Sequence, residues 1–100
     1  MTPATFRRRV AERIKRARWR LGLAQEVAAE RVGLAPRYYA DLERGNRNPT
    51  IETLFSIARA FRVTVADLVE FDGGPRVDLD ALDVKPPKTG RPKKSPRRGR

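Results

Sequence analysis

Apolar residues recur near the start of the chain at steps of four, four, three and four: Phe6, Val10, Ile14, Ala17 and Leu21. Such spacing keeps one face of an α-helix on a core. It predicts a first helix, α1, that opens at Thr2-Pro3 or Thr5 and runs to about Arg20. Between the apolar positions lie Arg7, Arg8, Arg9, Arg13, Lys15, Arg16, Arg18 and Arg20. Singly they read as a solvated face; together they suit a phosphate backbone. Trp19 falls off the stripe, either as cover for a neighbouring helix or as an exposed contact surface.

The next periodic stretch predicts α2 from Gln25 to Val32, with Val27, Ala28 and Val32 on a shared face. Gly33-Leu34-Ala35 forms a turn, since Gly33 supplies the positive φ that a sharp helix exit needs. Helix α3 begins at Pro36, whose missing N–H would be unpaired in a first turn anyway. It ends near Arg44, with Gly45 closing it and with Tyr39 and Leu42 facing inward. Two short helices around a tight turn are a helix-turn-helix pattern. Pro49, a Thr50 cap and Glu52 announce α4, whose inward face is Ile51, Leu54, Ala58 and Phe61. Ile57 lies beside that face and Phe55 toward the opposite edge. A short α5 follows from Val65 to about Glu70, with Leu68 inward. The expected fold is all-α, with five helices.

Beyond Phe71 the helical period is lost. Gly73-Gly74-Pro75 is a breaker, and Asp78, Asp80 and Asp83 make residues 72–84 an acidic linker. Its Leu-Asp-Ala-Leu-Asp-Val run has the makings of one turn packed back. Residues 85–100 hold eight Lys or Arg, no acid and almost nothing apolar, the composition of a disordered tail. The chain therefore divides into a helical domain, 1–71, the linker and the tail.

Charge sharpens this division. The net charge is +11, of which the tail carries +8, so the folded part is mildly basic and the tail strongly so. A polyanion is the natural partner, and nucleic acid the most apt one. With no cysteine and no histidine, thiolate metal sites, zinc sites and Ser-His chemistry lose their main players. There is no Gly-rich phosphate loop and the carboxylates are scattered, so no enzyme, metal or cofactor is expected. No apolar run approaches the ~18 residues of a membrane span, and the cytoplasm is the expected compartment. A small-molecule ligand is not expected either.

From Val10 to Phe71 the chain resembles the lambda repressor/Cro family of DNA-binding domains, also called the xenobiotic-response-element type. The resemblance rests on Leu21-Gly22-Leu23 followed by Gln25, Gly33-Leu34, Leu42-Glu43-Arg44-Gly45, Asn48-Pro49-Thr50, and Phe61 with Val63. The stretch from Tyr38 to Pro49 is also similar to the small controller proteins of restriction–modification systems. The family implies a largely buried pair between Arg18 and Glu43, tying α1 to α3; the alternative leaves each exposed. It also implies a backbone-clamping role for Gln25 and an inward Tyr39. Two positions depart from it: Ala24 and Ala35 stand where Ser, Thr or Asn often cap a helix, and each loss costs ~1 kcal/mol of local stability.

In a helix-turn-helix the N-terminal half of the second helix faces the major groove. The candidate base contacts are therefore Pro36, Arg37, Tyr38 and, one turn on, Asp41. Arg37 leads, because a guanidinium can bond guanine O6 and N7 together; its bland alternative is an intrahelical Arg37–Asp41 pair. Gln25, Asn46, Arg47 and Asn48 are the candidate phosphate contacts, with plain turn chemistry as the alternative for the asparagines. In the tail, Gly90-Arg91-Pro92-Lys93-Lys94 resembles an AT-hook that lacks its first arginine, against a plain polycation reading. Phe55, Val65, Val69 and Phe71 exceed the apolar needs of a small monomer, as ordinary core or as a homodimer face. The function expected is a sequence-specific transcription regulator acting on double-stranded DNA, blocking or assisting RNA polymerase. The alternative is an architectural protein whose tail binds DNA or RNA without sequence preference.

Overall fold

The computed structural model describes residues 1–70, 77–83 and 85–87. Five helices and no strand occur among them: α1 Pro3–Arg20, α2 Gln25–Val32, α3 Pro36–Arg44, α4 Ile51–Phe61 and α5 Val65–Val69. Each boundary has a local cause. The Thr2 side chain accepts the Thr5 N–H and Pro3 occupies the first turn of α1. Thr50 accepts the Thr53 N–H at the start of α4. At α5, Thr64 and Asp67 accept each other's backbone N–H in a capping box. Neither Ala24 nor Ala35 makes a side-chain cap bond, as their chemistry requires.

The exits of α2 and α3 are glycines in the left-handed region, Gly33 at φ 88° and Gly45 at φ 80°. At Gly45 a second constraint operates, because an added Cβ would come within 3.1 Å of Arg8 Cγ. Helix α4 ends on Arg62 at φ 60°, a left-handed residue that is not glycine. Here the chain accepts strain where a glycine would relieve it.

Helix α1 lies against α3, α4 and α5, and α2 packs on α3 and α4. Val10, Ile14, Ala17, Ala28, Ala29, Tyr39, Leu42, Ile57, Ala58, Phe61 and Leu68 form the buried core. The Tyr39 and Phe61 rings meet edge to face, with centroids 6.3 Å apart and planes at 89°. The α1 stripe holds its expected place, with Phe6 and Leu21 half-buried at its ends.

Two inward faces differ from expectation. In α4, Ala58 and Phe61 are buried as expected and Ile57 joins them, while Ile51 is 79% exposed. Ile51 is the first residue of the helix, so no preceding turn or neighbouring helix covers it. In α2 the buried pair is Ala28 and Ala29, and Val27 is 42% exposed. Packed against both α3 and α4, α2 turns its smallest side chains to the contact.

Candidate nucleic-acid interface

The α2–turn–α3 unit is held from within by one carboxylate. Glu43, near the end of α3, keeps its side chain only 2% exposed and meets Arg18 through two parallel bonds. Arg18 Nε donates to Oε2 at 2.7 Å and Nη2 to Oε1 at 2.9 Å. Tyr39, one turn back in α3, donates its hydroxyl to Oε2. Gln25 Nε2, at the start of α2, donates to Oε1 at 2.9 Å. Arg18 Nη1 also reaches the Leu23 carbonyl at 2.8 Å. One buried anion thus joins α1, α2 and α3. Burial pushes the Glu43 carboxyl up, but donation from Arg18, Tyr39 and Gln25 outweighs it and leaves the pKa below the ordinary value. Burial and the bond to Glu43 push the Tyr39 phenol above its usual range.

Outside this hub lies the surface of α3. Pro36 and Arg37 are exposed in its first turn, and Arg37 makes no ion pair or hydrogen bond among the described residues. Tyr38 is half-buried, with the Arg47 guanidinium 5.3 Å from its ring centroid. Asp41 does not pair with Arg37. It takes Arg44 Nη2 at 2.5 Å and lies 3.7 Å from Arg47 Nε. A carboxylate preceding its cation along a helix is the better arrangement, because each charge then suits its end of the helix dipole. Arg37 is left unengaged as a result.

The loop after α3 is braced rather than loose. The Asn46 N–H bonds the Asp41 carbonyl at 3.0 Å, closing the helix end, while its side chain stays exposed. Asn48 Oδ1 accepts from Arg7 Nη1 at 3.2 Å, and Arg7 Nε donates to the Gly45 carbonyl at 2.8 Å. Arg7 is therefore a loop brace, a role that its place among the α1 cations conceals. Two other α1 cations act alike, Arg13 on the Asp67 carbonyl and Arg20 on the Phe61 carbonyl. These links span dozens of residues and leave no local signal. Tyr39 and Glu43 did leave one, being four apart on a helix.

The four residues expected on a dimer face are not alike. Phe55 is 53% exposed with Arg59 over its ring at 5.7 Å. Val65 and Val69 are half-buried against the core, Val69 beside Phe6, Val10, Pro49 and Leu54 in an apolar groove. Phe71 lies outside the described residues, as do Gly90, Arg91, Pro92, Lys93 and Lys94. Trp19 is 53% exposed with Lys15 Nζ 5.8 Å from its ring centroid, so it is surface and not a cover. Within residues 77–83, Asp78 Oδ1 accepts the Asp80 and Ala81 N–H groups in a single turn. Leu79 and Leu82 remain exposed there and do not pack back. No helix among the described residues is long and apolar enough to cross a membrane.

Comparison with known proteins agrees with this geometry. A family model described as helix-turn-helix matches residues 14–68. An uncharacterized HTH-type transcriptional regulator of Sinorhizobium fredii, y4dJ, is 41% identical over 64 residues, covering 64% of this chain and 83% of that protein. The immunity repressor protein of Bacillus phage phi105 is 38% identical over 60 residues, 60% of this chain but 42% of the repressor. Among solved structures, the restriction-modification controller protein C.AhdI of Aeromonas hydrophila is similar, with a TM-score of 0.59 and 30% identity. That match covers 61% of this chain and 92% of C.AhdI.

Proposed function

We propose an operator-binding role for this chain, which belongs to the Cro/CI-type helix-turn-helix family of transcriptional regulators. In this reading α3 enters the major groove and Arg37 bonds guanine O6 and N7. Tyr38 and Asp41 flank it, and Pro36 touches a thymine methyl or shapes the helix entry. Gln25, Asn46, Arg47 and Asn48 take phosphates on either side. The observation that carries the reading is Arg37 itself, exposed at the start of α3 and without a partner among the described residues.

The acting species is a homodimer joined through α4 and α5 with Phe55, Val65, Val69 and Phe71. A two-fold axis there sets the two α3 helices about one DNA turn, ~34 Å, apart and makes the operator palindromic. Residues 1–71 are the binding domain, 72–84 a linker, and 85–100 a tail adding affinity for any duplex. Bound at an operator, the protein blocks RNA polymerase or assists it. Selection of bound sites from random DNA tests this: a palindrome with a fixed G·C pair in each half is expected. Recovery of no common sequence would overturn it in favour of an architectural protein.

A further inference from the structure

The Glu43 carboxylate accepts four hydrogen bonds, two on each oxygen, from Arg18, Tyr39 and Gln25. That fills the roughly four lone-pair sites a carboxylate has. Arg18 and Tyr39 tie the anion to the core. Gln25 is different: it belongs to an exposed residue at the first position of α2. The residue before it, Ala24, has no side-chain acceptor, so no side-chain cap fixes the first turn. The Gln25 amide is anchored instead to a residue eighteen positions away, at the far end of α3.

An ionised carboxylate only accepts, so it also decides which way the amide faces. The nitrogen must point at Glu43. The carbonyl and the second N–H of Gln25 then remain, and neither makes a bond among the described residues. A second N–H held in this way is a donor whose direction is set before any ligand arrives. A glutamine that had to be ordered on binding would lose up to about tenfold in affinity to side-chain entropy.

We propose that Glu43 is a positioning residue for DNA binding, holding the Gln25 amide so that its second N–H meets a phosphate. The proposal rests on the phosphate contact assigned to Gln25 above. In this view the Arg18–Glu43 pair is more than a stabilising bridge. It fixes the start of the first helix of the motif relative to the second, and the phosphate-binding group with it. Tyr39 contributes by occupying the remaining site on Oε2, which leaves the Gln25 amide on Oε1 beside Arg18 Nη2.

The test is a double-mutant cycle on the full chain, with Glu43→Gln, Gln25→Met and both together. The probe is the duplex recovered with the wild-type chain by selection from random sequence. Gln25→Met is expected to weaken binding, and Glu43→Gln to weaken it by up to about tenfold. The double variant should bind no more weakly than Gln25→Met alone, because Glu43 acts through that amide. If Glu43→Gln costs the same factor with or without the Gln25 amide, its role is structural and the proposal fails. If Gln25→Met leaves affinity unchanged, the phosphate contact fails first, and the proposal with it. Should Glu43→Gln not fold, nitrogen relaxation of the wild-type Gln25 side-chain amide decides. An order parameter near the ~0.85 of rigid backbone supports the proposal, and one below ~0.6 overturns it.

Discussion

Helices α1, α4 and α5 each begin at a threonine whose hydroxyl accepts a backbone N–H. Helices α2 and α3, which make up the helix-turn-helix, each begin at an alanine with no such bond. The frame is thus stabilised one helix at a time by local chemistry. The motif pair depends on tertiary contacts: the Glu43 hub and the buried Ala28 and Ala29, with the Tyr39 ring meeting Phe61 of α4. A residue pattern that weakens α2 and α3 as isolated helices makes their mutual placement the quantity that holds them. It also leaves the N–H groups of both first turns without a side-chain acceptor among the described residues.

The largest expected effect comes from breaking the hub. Glu43→Ala strands the Arg18 charge and the Tyr39 hydroxyl, and a cost of ~3–5 kcal/mol is expected. That is a large share of the stability of a domain this small. Changing Arg18 and Glu43 together to apolar residues should recover much of the loss. Urea unfolding of the wild type and the two variants measures both effects, and a midpoint unmoved by Glu43→Ala would contradict the hub's role.

Acid attacks the same point. The folded pKa of Glu43 is depressed, so the unfolded chain binds the proton first as pH falls. The stabilisation is therefore complete above the unfolded value of ~4.3 and is lost as pH drops toward the folded one. Denaturation midpoints should fall across that window in the wild type. In the double apolar variant this part of the slope should be missing.

Smaller effects test the caps. Thr50→Ala should cost ~1 kcal/mol, and Ala24→Ser or Ala35→Ser should add a similar amount. Thermal melts of these variants compare frame and motif directly. If Thr50→Ala is silent while Ala24→Ser is also silent, capping does not distinguish the two regions. Smallest of all, Arg47→Ala should lower affinity for every duplex alike and reduce the salt slope by about one.

Much of this fold was legible from spacing and punctuation. Thr50, Gly33, Gly45 and Pro36 mark helix ends by chemistry that acts within a few residues. The α1 stripe could be read because eighteen residues sample a helical face five times over. Shorter helices gave less: in α2 the apolar pattern alone does not separate Val27 from Ala29, and depth of packing against α3 and α4 does. The Arg37–Asp41 pairing went the other way, to Arg44 and Arg47, because local order and loop path both favour those partners. Of the interface, the exposed start of α3 was foreseeable. The braces from Arg7, Arg13 and Arg20 were not, since each joins α1 to a carbonyl that only the tertiary fold brings near.

The base-reading role of Arg37 is tested most directly by affinities of the wild type and Arg37→Ala over single-base operator variants at fixed salt. A bidentate contact to guanine discriminates by ~1–3 kcal/mol, roughly fivefold to somewhat over a hundredfold in affinity. Arg37→Ala should therefore flatten the preference at one symmetry-related G·C position and leave other positions nearly intact. An equal loss across all variants would mean that α3 does not read guanine through this residue.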